Sequence, residues 1–362
     1  MTVIDADTHV DESDATWSYI QGEDAKFAPT EQVAKNFDPT RRGGRYWVFD
    51  GGIRQTRHAR SDERTGTTQE SRELLDVSAR LRDMDEVGTA VHVMYPTMFL
   101  TEFTDRAEFE LPVKRSYNRW IGERTGASKE ARDRLRWVII PPTLSMDATL
   151  EEMRWGKDHG AVGVLKKGDL EAGHWPTEEY FFPFYEEAER LGLTVCFHLG
   201  GGVPARTPSA QVPHVAFMLF KAPILNAFDS FLRDDIPNKF PKLRSAFVEA
   251  GSSWLPHVFD MMDRRSMKLA KDSAPGVRPP SNAELLRANR MYVTCLVDED
   301  LPYLISCVGE DTLMAGSDYT HSDDSMERDF ATTIRERAAR GEISSSAAQK
   351  ILWDNPKACY GL

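Results

Sequence analysis

Short apolar runs alternate with longer stretches in which apolar residues recur every three or four positions, and this alternation persists along the 362-residue chain. The runs Val3 to Asp7, Ala90 to Tyr95, Leu135 to Pro141, Val162 to Lys166, Thr194 to His198, Arg244 to Glu249, Met291 to Leu296 and Leu313 to Asp318 have strand length and strand composition. Between them, Glu73 to Val87 carries Leu74, Val77, Leu81 and Met84 on one helical face, and Phe181 to Leu191 and Trp254 to Leu269 repeat the pattern. Strands and helices in this alternation predict parallel βα units. Eight of them predict an α/β chain folded as a (β/α)8 TIM barrel, with its active site at the C-terminal strand ends. A doubly wound open sheet lacks support, because no Gly-x-Gly-x-x-Gly follows the first strand and Gly200-Gly201-Gly202 is not followed by a phosphate-loop Lys-Ser/Thr.

The whole chain, 1–362, reads as one barrel domain; no repeat or interdomain linker interrupts it, and Lys271 to Pro280 is a loop between helix and strand. The first crossover, 10–72, is far longer than a compact connection needs, which marks an insertion with its own structure or function. Within it, Tyr46 to Arg54 predicts a hairpin turning at Gly51-Gly52, a small β-hairpin cap over the barrel mouth. Arg41, Arg42, Arg45, Arg54, Arg57 and Arg60 give this segment a positive sign, so its arginines are candidates for holding a substrate carboxylate.

That sign is local. The chain as a whole carries a formal charge of -12 with no basic run, which argues against a nucleic-acid partner or an anionic membrane surface. No apolar segment approaches the roughly 20 residues of a membrane span, and no signal-like segment precedes Thr2-Val3-Ile4, so a cytoplasmic protein is expected. Cys196, Cys295, Cys307 and Cys359 are scattered without a Cys-x-x-Cys pair and read as reduced core thiols.

Candidate chemistry sits at the strand ends. On a strand, Asp7 and His9 of Asp5-Ala6-Asp7-Thr8-His9 point the same way, a geometry suited to a divalent cation. Strand five ends in His198, strand six in Glu249 and strand eight in Asp318, all of which a barrel would bring to one mouth. Two carboxylates and two imidazoles form a donor set suited to Zn²⁺ or Mn²⁺, with a position left for water or substrate. One of Lys166 and Lys167 is expected to face the mouth, and His92, inside strand two, reads as a buried hydrogen-bonded imidazole. His58, His159, His174, His214 and His257 have no partner spacing, and no Gly-x-Ser-x-Gly elbow occurs.

With these residues in place, the chain resembles the amidohydrolase superfamily, in the branch of the aminocarboxymuconate-semialdehyde, resorcylate and carboxyvanillate decarboxylases. The likeness rests on Ile4 to His9, Arg80-Leu81-Arg82-Asp83-Met84-Asp85, Tyr117 to Trp120, Pro183 to Ala188 before Phe197-His198, Phe240 to Leu243, Gly316 to Tyr319 and Asn355-Pro356. The resemblance implies one catalytic divalent ion, Zn or Mn, with ligands mapping onto Asp7, His9, His198 and Asp318, and a homodimer. Two positions depart from it: Asp7 stands where a His-x-His pair is common, and Glu249 stands where the decarboxylases place a strand-six histidine. Glu249 reads either as a general base or as a structural group held by Ser252, Ser253 or Trp254, and His321 either as a replacement acid/base or as a loop residue paired with Asp323. The expected activity is non-oxidative decarboxylation of a small aromatic or unsaturated carboxylate, with Asp318, Glu249 and His321 as the catalytic groups. The alternatives are a metal-dependent hydrolase or hydratase and, from another class, a barrel that has lost catalysis and only binds.

Overall fold

A computed structural model describes residues 2–35, 45–49, 51–56, 60, 62–201, 217–269, 280–321 and 326–362. Asp50, His58, Gly202, His214, Asp323 and residues 271–279 lie outside the described residues, as do Arg41, Arg42, Arg57 and the side chain of Arg54. In chain order the strands are β1 (Ile4–Val10), β2 (Thr30–Val33), β3 (Arg45–Phe49), β4 (Gly52–Thr56), β5 (Val91–Pro96), β6 (Leu135–Ile139), β7 (Ala161–Lys166), β8 (Thr194–His198), β9 (Arg244–Val248), β10 (Met291–Cys295) and β11 (Leu313–Ala315).

β1 and β5 to β11 form one eight-stranded sheet in chain order, parallel throughout. A parallel bridge between Thr8 and Tyr319 joins its two edges. The result is the expected (β/α)8 barrel. Its strands are covered on both faces, and the sequence therefore shows continuous apolar runs in place of strict alternation. Alternation survives in direction: Phe197 packs edge-on against Phe231 of the outer helix Ala222–Arg233, which leaves His198, one residue on, facing the interior. Cys196, Cys295 and Cys359 are buried free thiols, as the scattered spacing predicts, while Cys307 is a free thiol only half-buried at the edge of the core.

Local chemistry moves several expected boundaries. The helix expected from Glu73 begins at Val77, because Leu74 takes a left-handed backbone at φ 49° and Asp76 caps the helix by accepting from the Ser78 amide. Gly88 ends it in the left-handed conformation that needs no Cβ. β1 runs on to Val10, carrying His9 within the strand. β11 stops at Ala315, short of the expected Asp318, and residues 316–319 close the barrel as an irregular segment. The cap is larger than a hairpin: β2 adds a third antiparallel strand to β3 and β4. Trp47 of β3 packs against Trp17, and Phe49 against Phe103 of the segment after β5, so the cap shares the barrel's buried core.

The lysines after β7 are both buried. Lys166 pairs with Glu171 at 2.5 Å, while Lys114 of helix Ala107–Gly126 bridges Glu102 and Glu110 at 2.8 and 2.7 Å. Lys167 donates to the carbonyls of Phe99 and Leu100, and burial pushes it down to about 8. Among the described residues, no helix is long and apolar enough to cross a membrane.

The seam between β1 and the 316–319 segment is tight. A Cβ on Gly316 would lie 2.5 Å from the Asp7 Cβ and 2.7 Å from its backbone nitrogen. Gly316→Ala is therefore expected to lower stability by about 1–3 kcal/mol, the usual cost of overpacking. A urea midpoint equal to that of the unaltered protein would show that the seam can yield.

Candidate metal centre

Three strand ends and the segment after β11 deliver six titratable side chains to the barrel mouth, all 9% exposed or less. Asp7 and His9 leave β1 on the same side, with His9 Nε2 3.5 Å from Asp7 Oδ1, while Thr8 turns away to donate to the Val93 carbonyl. His198 ends β8 with Nε2 3.2 Å from Asp7 Oδ1. Glu249 follows β9 and sets Oε2 3.3 Å from His198 Nδ1. Asp318 places Oδ1 3.3 Å from His9 Nε2 and 2.8 Å from His321 Nδ1. The expected ligands Asp7, His9, His198 and Asp318 and the expected acid/base groups Glu249 and His321 thus occupy one cluster.

Ser252 and Ser253 give their amides to Glu299, and Trp254 Nε1 donates to the Gly251 carbonyl, while the Glu249 carboxylate lies beside His198. His321 is hydrogen-bonded to Asp318. Glu249 and Asp318 both adopt left-handed backbone, φ 64° and 51°, which favours glycine and costs a carboxylate residue on the order of 1 kcal/mol or more. These conformations stand directly after β9 and three residues after β11, where both carboxylates enter the mouth.

His9 meets the requirements of a ligand. Its Nδ1 lies 2.8 Å from the Pro96 carbonyl, which can only accept, so Nδ1 carries the proton and Nε2 presents a lone pair. Burial, aided by the neighbouring His321, pushes His9 down to about 4, which keeps the ring neutral at physiological pH. Nε2 is fully buried and makes no hydrogen bond among the described residues. Burial alone would raise Asp7, yet the His198 and His9 rings hold its carboxyl below the usual carboxylate range. A neutral imidazole, an ionised carboxylate and an orphaned buried nitrogen fit a divalent cation. Asp7, His9, His198 and Glu249 each offer one donor atom within 4.8 Å of the others, and so do His9, Glu249, Asp318 and His321.

Support around the centre was only partly legible in sequence. Arg80, fully buried, donates to the His9 carbonyl at 2.8 Å and to His92 Nδ1 at 3.2 Å, and its guanidinium stacks 3.9 Å from the Tyr319 ring. His92 is buried and hydrogen-bonded, as expected, through Nε2 to Thr89. Asp5 accepts from the Ser317 amide at 2.9 Å and hydroxyl at 2.5 Å; burial, against these hydrogen bonds, pushes it up to about 7. Of the cap arginines, Arg45 pairs with Glu31. Arg60 reaches the mouth, with Nη1 3.3 Å from Thr320 Oγ1 and Nε 3.2 Å from Asp11 Oδ1, and Arg72 donates to its carbonyl.

The sequence profile of the amidohydrolase family matches residues 4–362, and the chain belongs to that family. No curated protein matches it. Among solved structures, it is similar to an amidohydrolase from Mycobacterium avium subsp. paratuberculosis K-10, at 18% identity and TM-score 0.77, covering 100% of this chain and 98% of that one. It is similar to 5-carboxyvanillate decarboxylase from Novosphingobium aromaticivorans, solved with manganese and 3-methoxy-4-hydroxy-5-nitrobenzoic acid, at 14% identity and TM-score 0.69, covering 100% and 97%. It is also similar to 4-oxalomesaconate hydratase from Rhodopseudomonas palustris, at 14% identity and TM-score 0.63, covering 99% and 96%. These likenesses concern the barrel and do not by themselves assign a reaction.

Elemental analysis of the purified protein is expected to find Zn or Mn, and His198→Ala, which deletes one imidazole without touching the seam, is expected to lose it. A His198→Ala protein that retains a full complement of metal would remove this cluster from consideration.

Proposed function

We propose that this member of the amidohydrolase family is a metal-dependent carboxy-lyase acting on a small aromatic or unsaturated carboxylate. The observation that carries the reading is the placement of His321, hydrogen-bonded to Asp318, beside the donors that suit a cation. Asp7, His9, His198 and Asp318 would hold a divalent ion, which when bound would supply Lewis acidity to the site.

The protein's own groups handle the rest. Arg60, fixed by Asp11 and by the Arg72 contact to its carbonyl, is placed to hold a second anionic group of the substrate through its planar guanidinium. His321 carries the proton and Asp318 orients it. As the carbon–carbon bond to the carboxylate breaks, its electron pair stays on the substrate carbon, the His321 proton forms the new C–H bond, and carbon dioxide leaves. Water exclusion falls to the cap, whose Trp47 and Phe49 are locked into the core. The decarboxylase among the solved structures supports this class of substrate.

One observation favours a second reading. Glu249 takes a left-handed backbone and sets its carboxylate 3.3 Å from His198 in the donor cluster, the placement a general base for hydration or hydrolysis would need. The hydratase among the solved structures is in keeping with that.

The two readings separate in one experiment. Carboxylated hydroxybenzoates incubated in D₂O are expected to release carbon dioxide and gain one deuterium at the carbon that lost it. Asp318→Asn is expected to abolish turnover, while Glu249→Gln retains a near-normal rate if the lyase reading holds. A loss of about a hundredfold or more in Glu249→Gln, the usual cost of removing a general base, together with hydrated or hydrolysed product, would replace it with the second reading.

A further inference from the structure

The two imidazoles beside Asp7 are oriented in different ways. His9 Nδ1 is fixed by the Pro96 carbonyl at 2.8 Å. His198 Nδ1 stands 3.3 Å from the Leu199 carbonyl and 3.3 Å from Glu249 Oε2, so no bond of comparable strength sets its ring. The ring leans instead on Tyr95, with centroids 4.7 Å apart and planes 41° from parallel. Tyr95 is the partner of His9 in the register of β5 with β1, and its ring lies 6.1 Å from that of His9. It forms a floor under both imidazoles.

Tyr95 is itself held from the far end of the barrel. Its hydroxyl lies 2.8 Å from that of Tyr360, and Tyr360 donates to the Ala6 carbonyl at 2.9 Å, which leaves Tyr95 as the donor between the two phenols. Tyr360 ends the C-terminal helix Asn355–Tyr360, and that helix is fastened to the first residues of two strands. Asn355 donates to the Leu313 carbonyl of β11 at 2.7 Å, and Thr194 of β8 donates to the Cys359 carbonyl. The helix therefore sits across the N-terminal strand ends, opposite the mouth. From it, a path of hydrogen bonds and one ring contact joins Ala6, next to Asp7 on β1, to His198 on β8. Both tyrosines on the path are buried.

We propose that Tyr360 is a positioning residue for the metal centre: by pinning Tyr95 to the Ala6 carbonyl, it fixes the ring of His198 relative to Asp7 so that both address one divalent ion. The inference rests on the metal-dependent reading of the mouth. It gives neither tyrosine a chemical step. The Tyr360 hydroxyl acts through one aromatic ring on a ligand whose own hydrogen bonds leave its tilt unset. Groups that orient a ligating imidazole govern metal affinity by about ten- to a hundredfold.

Tyr360→Phe removes the hydroxyl and keeps the ring. In a Mn²⁺ titration of chelator-stripped protein followed by electron paramagnetic resonance, it is expected to bind about tenfold more weakly than the unaltered protein, with a changed spectrum at saturation. Tyr95→Phe is expected to match it, and the double variant to lose no more than either single one, because both substitutions break the same path. Tyr185→Phe is the comparison for stability alone. It deletes an equally buried hydroxyl, which donates to the Pro176 carbonyl at 2.6 Å from the outer helix Phe182–Leu191, and is expected to leave Mn²⁺ affinity unchanged. Full affinity in Tyr360→Phe, an equal loss in Tyr185→Phe, or additive losses in the double variant would each overturn the positioning role and leave the metal-dependent reading standing. No bound ion in the unaltered protein overturns both.

Discussion

Gly316 approaches the backbone of Asp7 so closely that no side chain fits between them, and the barrel mouth is organised around that contact. Only three residues of β11 are regular, so the seam with β1 is held by single interactions: the Asp318 amide on the Asp7 carbonyl at 3.0 Å, the His9 amide on the Tyr319 carbonyl, and Ser317 on the Asp5 carboxylate. Each joins a residue flanking the site on one strand to a residue flanking it on the other. The distance between the β1 donors and Asp318 with His321 is therefore set by backbone contact, and side-chain rotation has little part in it. Arg80 braces the seam from behind, gripping the His9 carbonyl and the face of Tyr319 together.

Such rigidity serves an electrostatic end. Burying three carboxylates is unfavourable unless each finds a compensating partner, and in this mouth the partners are imidazoles that are themselves poor at remaining charged when buried. His9 illustrates the compromise: burial empties its charge, so it offers a lone pair in place of a countercharge, and the Asp7 carboxylate is stabilised by His198 first and His9 second. A cluster arranged this way is electron-rich and short of positive charge. The left-handed backbone at Glu249 and Asp318 adds to its cost, and such cost persists where the arrangement serves chemistry.

Sequence periodicity identified the strands because parallel strands covered on both faces leave apolar runs that no surface element mimics, and the runs ending in Asp, His or Glu marked the mouth. What escaped has a common cause, since a sequence does not reveal where a polar residue's partner lies. Thr30–Val33 has no alternation, being a largely exposed edge strand, and so β2 went unseen. Arg80 sits in a helix among Arg82 and Asp83, both of them unremarkable surface types, and only the fold reveals that it alone is fully buried on a strand carbonyl. Lys166 and Lys167 look alike in sequence, yet one is neutralised by Glu171 and the other is held by two carbonyls. β11 ends at Ala315, and the positive φ of Asp318 three residues on is a conformation for which an Asp gives no advance notice.

The cap depends on the barrel for more than cover. On one side it is fastened by aromatic packing, Trp47 on Trp17 and Phe49 on Phe103. On the other, Arg60 and Arg72 share Asp11, one residue beyond the end of β1, at 3.2 and 3.7 Å. Both attachments begin from segments that follow barrel strands at their C-terminal ends, so the cap is referenced to the same rim as the donors. Asp11 draws two guanidiniums toward a mouth already rich in carboxylates, and Arg60 extends from it to Thr320, the neighbour of His321. A cationic group thus stands one residue from the Asp318–His321 pair, and it is oriented by a carboxylate outside the donor cluster. On the proposed carboxy-lyase reading, Arg60 and Asp11 would tune discrimination between substrates with one and two anionic groups without disturbing the seam that spaces the donors.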